Sequence, residues 1–134
     1  MIGGDDSVPI PFLAGLEDRA PVTVLQIDAH IDWPEERRGE RFGYSSTMKR
    51  VSEMAHVARI VQVGMSNFGS ARTQEVDEAR NWGAHIVTAR EVHHDGVERV
   101  VELIPRGRPL RSHWTATRWM RALCRPSWRR RPAA

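Results

Sequence analysis

Three side chains that commonly bind metal ions, Asp28, His30 and Asp32, alternate along the segment Q-I-D-A-H-I-D, directly after an apolar run. In extended backbone, alternate side chains project to the same side of the chain, so these three could face a common ligand. Two carboxylates and one imidazole suit Mn, Fe, Zn or Mg better than a soft metal. The alternative interpretation is a solvated loop after a strand, and the three residues alone do not decide between the two.

The apolar run before this segment predicts a strand that is buried on both faces, because residues 22–28 are almost continuously apolar or β-branched. The predicted strands cover residues 22–28, 59–63 and 85–88, and the predicted helices cover residues 10–16, 46–57, 70–82 and 92–103. Strands that alternate with helices indicate an α/β domain with a parallel sheet. Ligands of such sheets bind where the strands end, which is the position of Asp28.

The composition of the chain changes abruptly at Pro105. Residues 1–104 contain 11 Lys and Arg and all 17 Asp and Glu, a net charge of −6, whereas residues 105–134 contain nine arginines and no acid, a net charge of +9. We therefore divide the chain into a folded segment, 1–104, and an Arg-, Trp- and Pro-rich tail, 105–134, which is predicted to be disordered. Arginines and tryptophans can contact phosphates and stack on bases, so non-specific nucleic-acid binding by the tail is an alternative function. No specific nucleic-acid partner is predicted.

Several features predict a cytoplasmic protein. The single cysteine, Cys124, excludes an internal disulfide and fits a reducing compartment. No stretch approaches the length of an apolar membrane span, and the N-terminus lacks the basic and apolar regions of a signal peptide. No membrane partner is predicted.

Three motifs together resemble the ureohydrolase family, which includes arginase, agmatinase, guanidinobutyrase and formiminoglutamase. The sequence contains G-G-D-D-S at 3–7, D-A-H-I-D at 28–32 and Y-S-S-T at 44–47. The family patterns G-G-D-H-S, D-A-H-x-D and S-H-G-T occur in the same order with similar spacing. The resemblance covers roughly residues 2–104 and is strongest to agmatinase-like bacterial members.

The resemblance implies a three-layer α/β/α fold with two Mn2+ ions at the strand ends. In the family, a metal-bridging hydroxide attacks the guanidinium carbon of a small guanidino substrate such as agmatine and releases urea. Carried over to this chain, Asp28 would bridge both ions, Asp32 would bind the first ion and His30 the second. Asp6 occupies the position of a histidine ligand of the first ion, and aspartate can also bind Mn. Ser45 occupies the position of the histidine that shuttles a proton, and serine cannot titrate near neutral pH.

The last family motif, S-x-D-x-D-x-x-D-P, supplies a second bridging aspartate and another metal ligand, but no S-x-D-x-D follows residue 32. Codons for residues 112–120, read from the third base, can encode S-L-D-C-D-A-L-D, with the first and last aspartates forced by invariant bases. We therefore interpret the tail as out-of-frame translation that begins between residues 104 and 111. A complete relative also has a segment before G-G-D-H, so the chain is interpreted as a central fragment of an agmatinase-like enzyme. Impaired Mn binding and little or no activity are expected, and intact relatives are commonly homo-oligomeric.

Overall fold

The computed structural model describes residues 5–18, 21–66, 71–107 and 109–114. Within these residues, four strands form one parallel sheet: β1 (Val22–Ile27), β2 (Val57–Met65), β3 (His85–Thr88) and β4 (Leu110–Trp114). Their order in the sheet is β3-β2-β1-β4, so β1 has a neighbour on each side. The predicted parallel α/β fold is confirmed, and the carboxyl ends of the strands meet at one edge of the sheet.

Helices connect these strands in the described part of the chain. They are α1 (Pro9–Ala14), a 3-10 helix (Tyr44–Ser46), α2 (Thr47–Ser52), α3 (Thr73–Trp82), α4 (Ala89–Asp95) and α5 (Glu98–Leu103). Gly83 adopts the left-handed conformation, with φ of 104°, and ends α3 as the sequence predicted. Among the described residues, no helix is both long and apolar enough to cross a bilayer.

Two of the predicted helices differ from the observed ones for local reasons. The helix predicted over 92–103 is divided into α4 and α5 at Gly96, whose φ of 81° is not helical. A capping box between Thr88 and Glu91 also begins α4 earlier than predicted. The helix predicted over 46–57 ends at Ser52, because Val57 already pairs with Val22 in the sheet.

The fourth strand lies within the tail, where the sequence predicted no strand. β4 runs parallel to β1, and Val24 is paired with Arg111 and Ile27 with Trp114. The residues L-R-S-H-W contain no apolar run, so the strand is defined by backbone pairing with the edge of β1 rather than by a side-chain pattern. Residues 115–134 lie outside the described residues, so the predicted disorder and out-of-frame origin of the tail stay predictions.

Side chains are buried on both faces of the sheet. Ile60 and Val61 are consecutive in β2 and belong to two different buried clusters, as alternation along a strand requires. The larger cluster includes side chains of α1, α2 and α3, and the smaller one includes side chains of α4 and α5. The predicted three-layer α/β/α arrangement is therefore confirmed.

Trp33 fixes the loop that follows β1 against the larger cluster. Its side chain is buried, and its ring lies 6.2 Å from that of Trp82 in an edge-to-face arrangement. Such a contact adds about 0.5–1.5 kcal/mol to the burial of the two rings. The residue immediately before Trp33 is Asp32, so the core holds the end of the motif in place.

We predict that one partly buried contact between β2 and β3 makes stability depend on pH. The guanidinium of Arg59 lies 2.9 Å from Nε2 of His85, and burial, together with the charge of Arg59, holds the pKa of His85 below its usual value. The folded chain therefore binds a proton at His85 less readily than the unfolded chain, and this contribution to stability is lost as the pH falls below about 6.5.

Urea unfolding between pH 5 and pH 8 tests this prediction. Replacement His85→Gln should flatten the dependence of the free energy of unfolding on pH in the acid range, because glutamine keeps an acceptor near Arg59 but does not titrate. An identical pH dependence in the variant and the wild-type chain would show that His85 has no such role.

Candidate functional site

The chain leaves the sheet at the start of the D-A-H-I-D segment. β1 ends at Ile27 and the backbone bends at Asp28 and Ala29, so the extended conformation that the sequence predicted does not continue through the motif. The segment nevertheless stays beside β2, because the backbone N–H of Asp28 donates to the carbonyl of Val63 at 3.0 Å. Asp28 is thereby held at the carboxyl end of the central strand.

Asp28 and His30 are in direct contact. The carboxylate of Asp28 is 3% exposed, and its Oδ1 accepts a hydrogen bond from the backbone N–H of His30 at 3.0 Å. The same oxygen lies 3.3 Å from Nδ1 of the His30 ring. The His30 side chain is 41% exposed, so the ring can reach both the buried carboxylate and solvent.

Asp32 lies in the loop after β1 and has a left-handed backbone conformation, with φ of 49°. Aspartate tolerates this conformation better than most residues that have a Cβ atom. Its carbonyl accepts a hydrogen bond from the backbone N–H of Lys49 at 3.1 Å, and its carboxylate accepts one from Nε2 of Gln26 at 2.7 Å. Asp32 is thus tied to α2 on one side and to β1 on the other.

Like charges accumulate around Asp32. Burial raises the pKa of Asp32 to about 8, with further contributions from the negative charges of Asp28 and Asp6, whereas the hydrogen bond from Gln26 lowers it. Asp6 is therefore close enough to act on Asp32, although 26 residues separate the two in sequence. A residue of α2 contacts Asp6 as well, because the hydroxyl of Thr47 donates a hydrogen bond to the backbone carbonyl of Asp6 at 2.6 Å.

The chemistry of these donors fits a divalent cation. A carboxyl group whose pKa is raised by burial and by neighbouring negative charges, as that of Asp32 is, favours a bound cation, and carboxylate and imidazole are ligands of Mn. Among the described residues, however, no three His, Cys, Asp or Glu side chains form an arrangement that could hold a metal ion. In the structure, the Asp28 carboxylate contacts His30 and the Asp32 carboxylate contacts Gln26. The metal-ligand roles of Asp6, Asp28, His30 and Asp32 stay predictions.

Ser45 lies at a separate cavity in the loop that precedes α2. The cavity has a volume of about 470 Å³ and is lined by Arg37, Arg38, Glu40, Gly43, Tyr44 and Ser45. Its rim is a tight hairpin, in which Arg37 and Glu40 exchange backbone hydrogen bonds of 3.0 and 3.1 Å. Arg38 and Gly39 at the tip both have positive φ, 56° and 80°, which is the pattern of a type I′ turn.

The sequence analysis missed two residues of this site, Gln26 and Gln62. They lie opposite each other on β1 and β2 and are 0% and 1% exposed. The available signal was a single amide side chain inside each of two otherwise apolar strands, since buried polar groups need partners. What the sequence could not provide was the register that places the two side by side.

Comparisons with known proteins agree on one family. The sequence model described as "Arginase family" matches residues 1–110. Among curated proteins, the chain is 28% identical over 97 residues to an arginase of Glycine max, covering 71% of this chain and 27% of that protein. It is 27% identical over 100 residues to a guanidinobutyrase of Pseudomonas aeruginosa, covering 72% of this chain and 31% of that protein. The chain spans about a third of the length of these relatives.

A solved structure supports the same relationship. The proclavaminate amidino hydrolase of Streptomyces clavuligerus superposes with a TM-score of 0.73 and 25% sequence identity. The superposition covers 85% of this chain and 40% of that one.

We predict that the burial of Asp32, together with the nearby charges of Asp28 and Asp6, destabilises the metal-free chain. Because the folded pKa of Asp32 lies above its ordinary value of 3.8, the folded chain binds more protons than the unfolded chain between about pH 4 and pH 8. Stability should therefore fall as the pH rises through this window. Replacement Asp32→Asn removes the group that must take up a proton when the chain folds, and we expect it to raise the free energy of unfolding at pH 7 by roughly 1–3 kcal/mol, since one pKa unit corresponds to about 1.4 kcal/mol.

Urea unfolding in the presence of EDTA measures this effect. The exposed residue Asp18 provides a matched control, and Asp18→Asn should change stability by less than about 0.5 kcal/mol. If Asp32→Asn proves as neutral as the control, or destabilises the chain, the pKa of Asp32 is not raised as described.

Proposed function

The chain belongs to the arginase family, and on that premise we propose that it is part of an agmatinase-like, Mn-dependent ureohydrolase. The proposed reaction is hydrolysis of a small guanidino compound, such as agmatine, to urea and an amine. The observation that supports this proposal is the group of carboxylates at the end of β1, in which burial, together with the charges of Asp28 and Asp6, raises the pKa of Asp32. The proposed location is the cytoplasm.

The residues present define part of the proposed chemistry. Asp28, Asp32 and Asp6 would hold Mn2+ through oxygen, and His30 would hold it through a ring nitrogen. When bound, two such ions supply activation of a water molecule for attack on the guanidinium carbon. The Asp28 carboxylate already orients the His30 ring through the 3.3 Å contact with Nδ1. Ser45 can donate or accept a hydrogen bond but cannot carry a proton near neutral pH.

We propose further that this polypeptide by itself has little or no ureohydrolase activity. No S-x-D-x-D motif follows Asp32, so one bridging ligand and one further ligand of the family site have no counterpart in the sequence. β4 supports an origin of the tail in another reading frame. Its pairing of Trp114 with Ile27 would bring the first of the aspartates encoded there, at position 114, next to Asp28.

Segment replacement tests both proposals. Replacing residues 112–119 with S-L-D-C-D-A-L-D, the product of the alternative frame, should raise Mn2+ affinity by about an order of magnitude or more, since affinity follows the number of charged ligands. Isothermal titration with Mn2+ measures the change, and a colorimetric assay measures urea released from agmatine. The matched control carries S-L-N-C-N-A-L-N.

Three results are decisive. Urea release by the unmodified chain with Mn2+ would contradict the proposed inactivity. Equal Mn2+ affinity in the aspartate and asparagine versions would contradict the reading-frame interpretation. Mn2+ binding that survives Asp28→Asn unchanged would contradict the proposed metal site.

A guanidino acid is a second candidate substrate, and the cavity beside Ser45 favours it. Arg37 and Arg38 line this cavity, and neither forms an ion pair within the described part of the chain. The two guanidinium groups outnumber the one carboxylate of the lining, Glu40, so the cavity favours the carboxylate of a guanidino acid over the ammonium group of agmatine. Arginine can bind a carboxylate through two parallel hydrogen bonds. The left-handed conformation of Arg38 is unusual for a residue with a Cβ atom, and such residues concentrate at ligand sites.

We predict that 4-guanidinobutyrate is preferred to agmatine by the chain with the S-L-D-C-D-A-L-D segment. Replacement Arg38→Asn should reduce this preference about tenfold in kcat/KM, since it removes a charge-assisted hydrogen bond but keeps a residue that tolerates positive φ. Arg90→Gln is the control, because Arg90 is exposed and lies outside the cavity. A preference for agmatine, or equal loss in both variants, would favour the first candidate.

A further inference from the structure

Two glutamines form a buried polar contact in the centre of the sheet. Gln26 of β1 and Gln62 of β2 occupy the same register position and are almost completely buried. An amide group buried without a hydrogen-bond partner costs about 1–3 kcal/mol. Two such groups side by side in the interior of the sheet therefore indicate that their hydrogen bonds have a structural purpose.

The hydrogen bonds of the two glutamines run in one direction. Nε2 of Gln62 donates to the backbone carbonyl of Ile31 at 2.7 Å and to Oε1 of Gln26 at 2.5 Å. Nε2 of Gln26 then donates to Oδ2 of Asp32 at 2.7 Å. The chain of donors thus begins at β2 and ends on the carboxylate of the candidate site.

The backbone carbonyl of Ile31 fixes this direction. A carbonyl oxygen can only accept, so the amide end of Gln62 that faces it must be the NH2 group. The other hydrogen of that NH2 group is directed at Gln26, which must present its oxygen. The NH2 group of Gln26 is then left to face Asp32. The opposite orientation of Gln62 would place its oxygen against the Ile31 carbonyl oxygen, and neither of these oxygens can donate.

We propose that Gln62 and Gln26 are positioning residues that hold the Asp32 carboxylate as a hydrogen-bond acceptor, oriented to bind a divalent cation. This inference rests on the proposed metal site. Gln26 acts on Asp32 directly, whereas Gln62 acts without touching it, by preventing the Gln26 amide from turning its oxygen toward the carboxylate. Partners that orient a metal ligand in this way typically contribute about 10–100-fold to metal affinity.

A double-mutant cycle on the complete 134-residue chain tests this assignment. Mn2+ alone is the probe, and its dissociation constant is measured by isothermal titration for the wild-type chain, Gln26→Leu, Gln62→Leu and the double variant. We expect each single replacement to weaken Mn2+ binding about tenfold. The double replacement should weaken it no further, because both residues act through one chain of hydrogen bonds.

A matched control separates positioning from a general effect on the sheet. Thr23 lies on the same strand, is 1% exposed, and its hydroxyl has no hydrogen-bond partner among the described residues. Replacement Thr23→Val removes a buried polar atom without touching the glutamines, and it should leave Mn2+ affinity unchanged. The electron paramagnetic resonance spectrum of bound Mn2+ provides a second readout. It should broaden in Gln62→Leu and not in Thr23→Val.

The results distinguish this inference from the proposed function. Wild-type Mn2+ affinity in Gln62→Leu, or additive losses in the double variant, would overturn the positioning role while leaving the metal site intact. A loss of affinity in Thr23→Val equal to that in Gln62→Leu would also overturn it. A wild-type chain that does not bind Mn2+ would overturn the proposed metal site and this inference together.

Discussion

Burial of Asp28 and Asp32 next to one another is the constraint around which this part of the molecule is arranged. Burial disfavours the ionised form of Asp32, and the negative charges of Asp28 and Asp6 add to this effect, so the pKa of Asp32 is raised to about 8. The surrounding contacts compensate in part: His30 contacts Asp28, and Gln26 donates to Asp32. Trp33 and the Lys49 backbone hold the loop so that the carboxylates do not escape to solvent. A bound divalent cation would offset the remaining cost of ionising Asp32. The contacts that bury this carboxylate therefore also favour the proposed metal binding.

The parallel sheet makes this arrangement possible. The carboxyl ends of parallel strands meet at one edge, and β1 places Asp28 there between β2 and β4. The chain belongs to the arginase family. The chain spans about a third of the length of its curated relatives. The proposed hydrolysis at this edge needs metal ligands in addition to the group around Asp28. β4 is paired with β1 up to Ile27, directly before Asp28. The residue types of β4 therefore decide whether further metal ligands lie beside this group.

Helix and strand positions that depend on local sequence pattern were predicted correctly, whereas contacts that depend on strand register were not. The continuous apolar run before Asp28 was sufficient to predict β1, and Gly83 was sufficient to predict the end of α3. The family motif identified Asp6 as a partner of Asp32, and the structure brings their charges together. The pairing of Gln26 with Gln62 could not be predicted, because neither strand encodes which residue lies opposite. β4 was missed for a similar reason, since its backbone pairs with β1 but its side chains show no strand pattern.

Addition of Mn2+ to the 15N-labelled chain, followed by two-dimensional NMR, tests the central claim most directly. A paramagnetic ion broadens the amide signals closest to it most strongly, so stoichiometric binding at carboxylate ligands places the strongest effect on the ligands themselves. The account predicts that the amides of Asp6, Asp28, His30 and Asp32 broaden first, and that Asp28→Asn abolishes this effect. Broadening that begins at exposed acidic residues such as Glu53, or that is unchanged in Asp28→Asn, would contradict it.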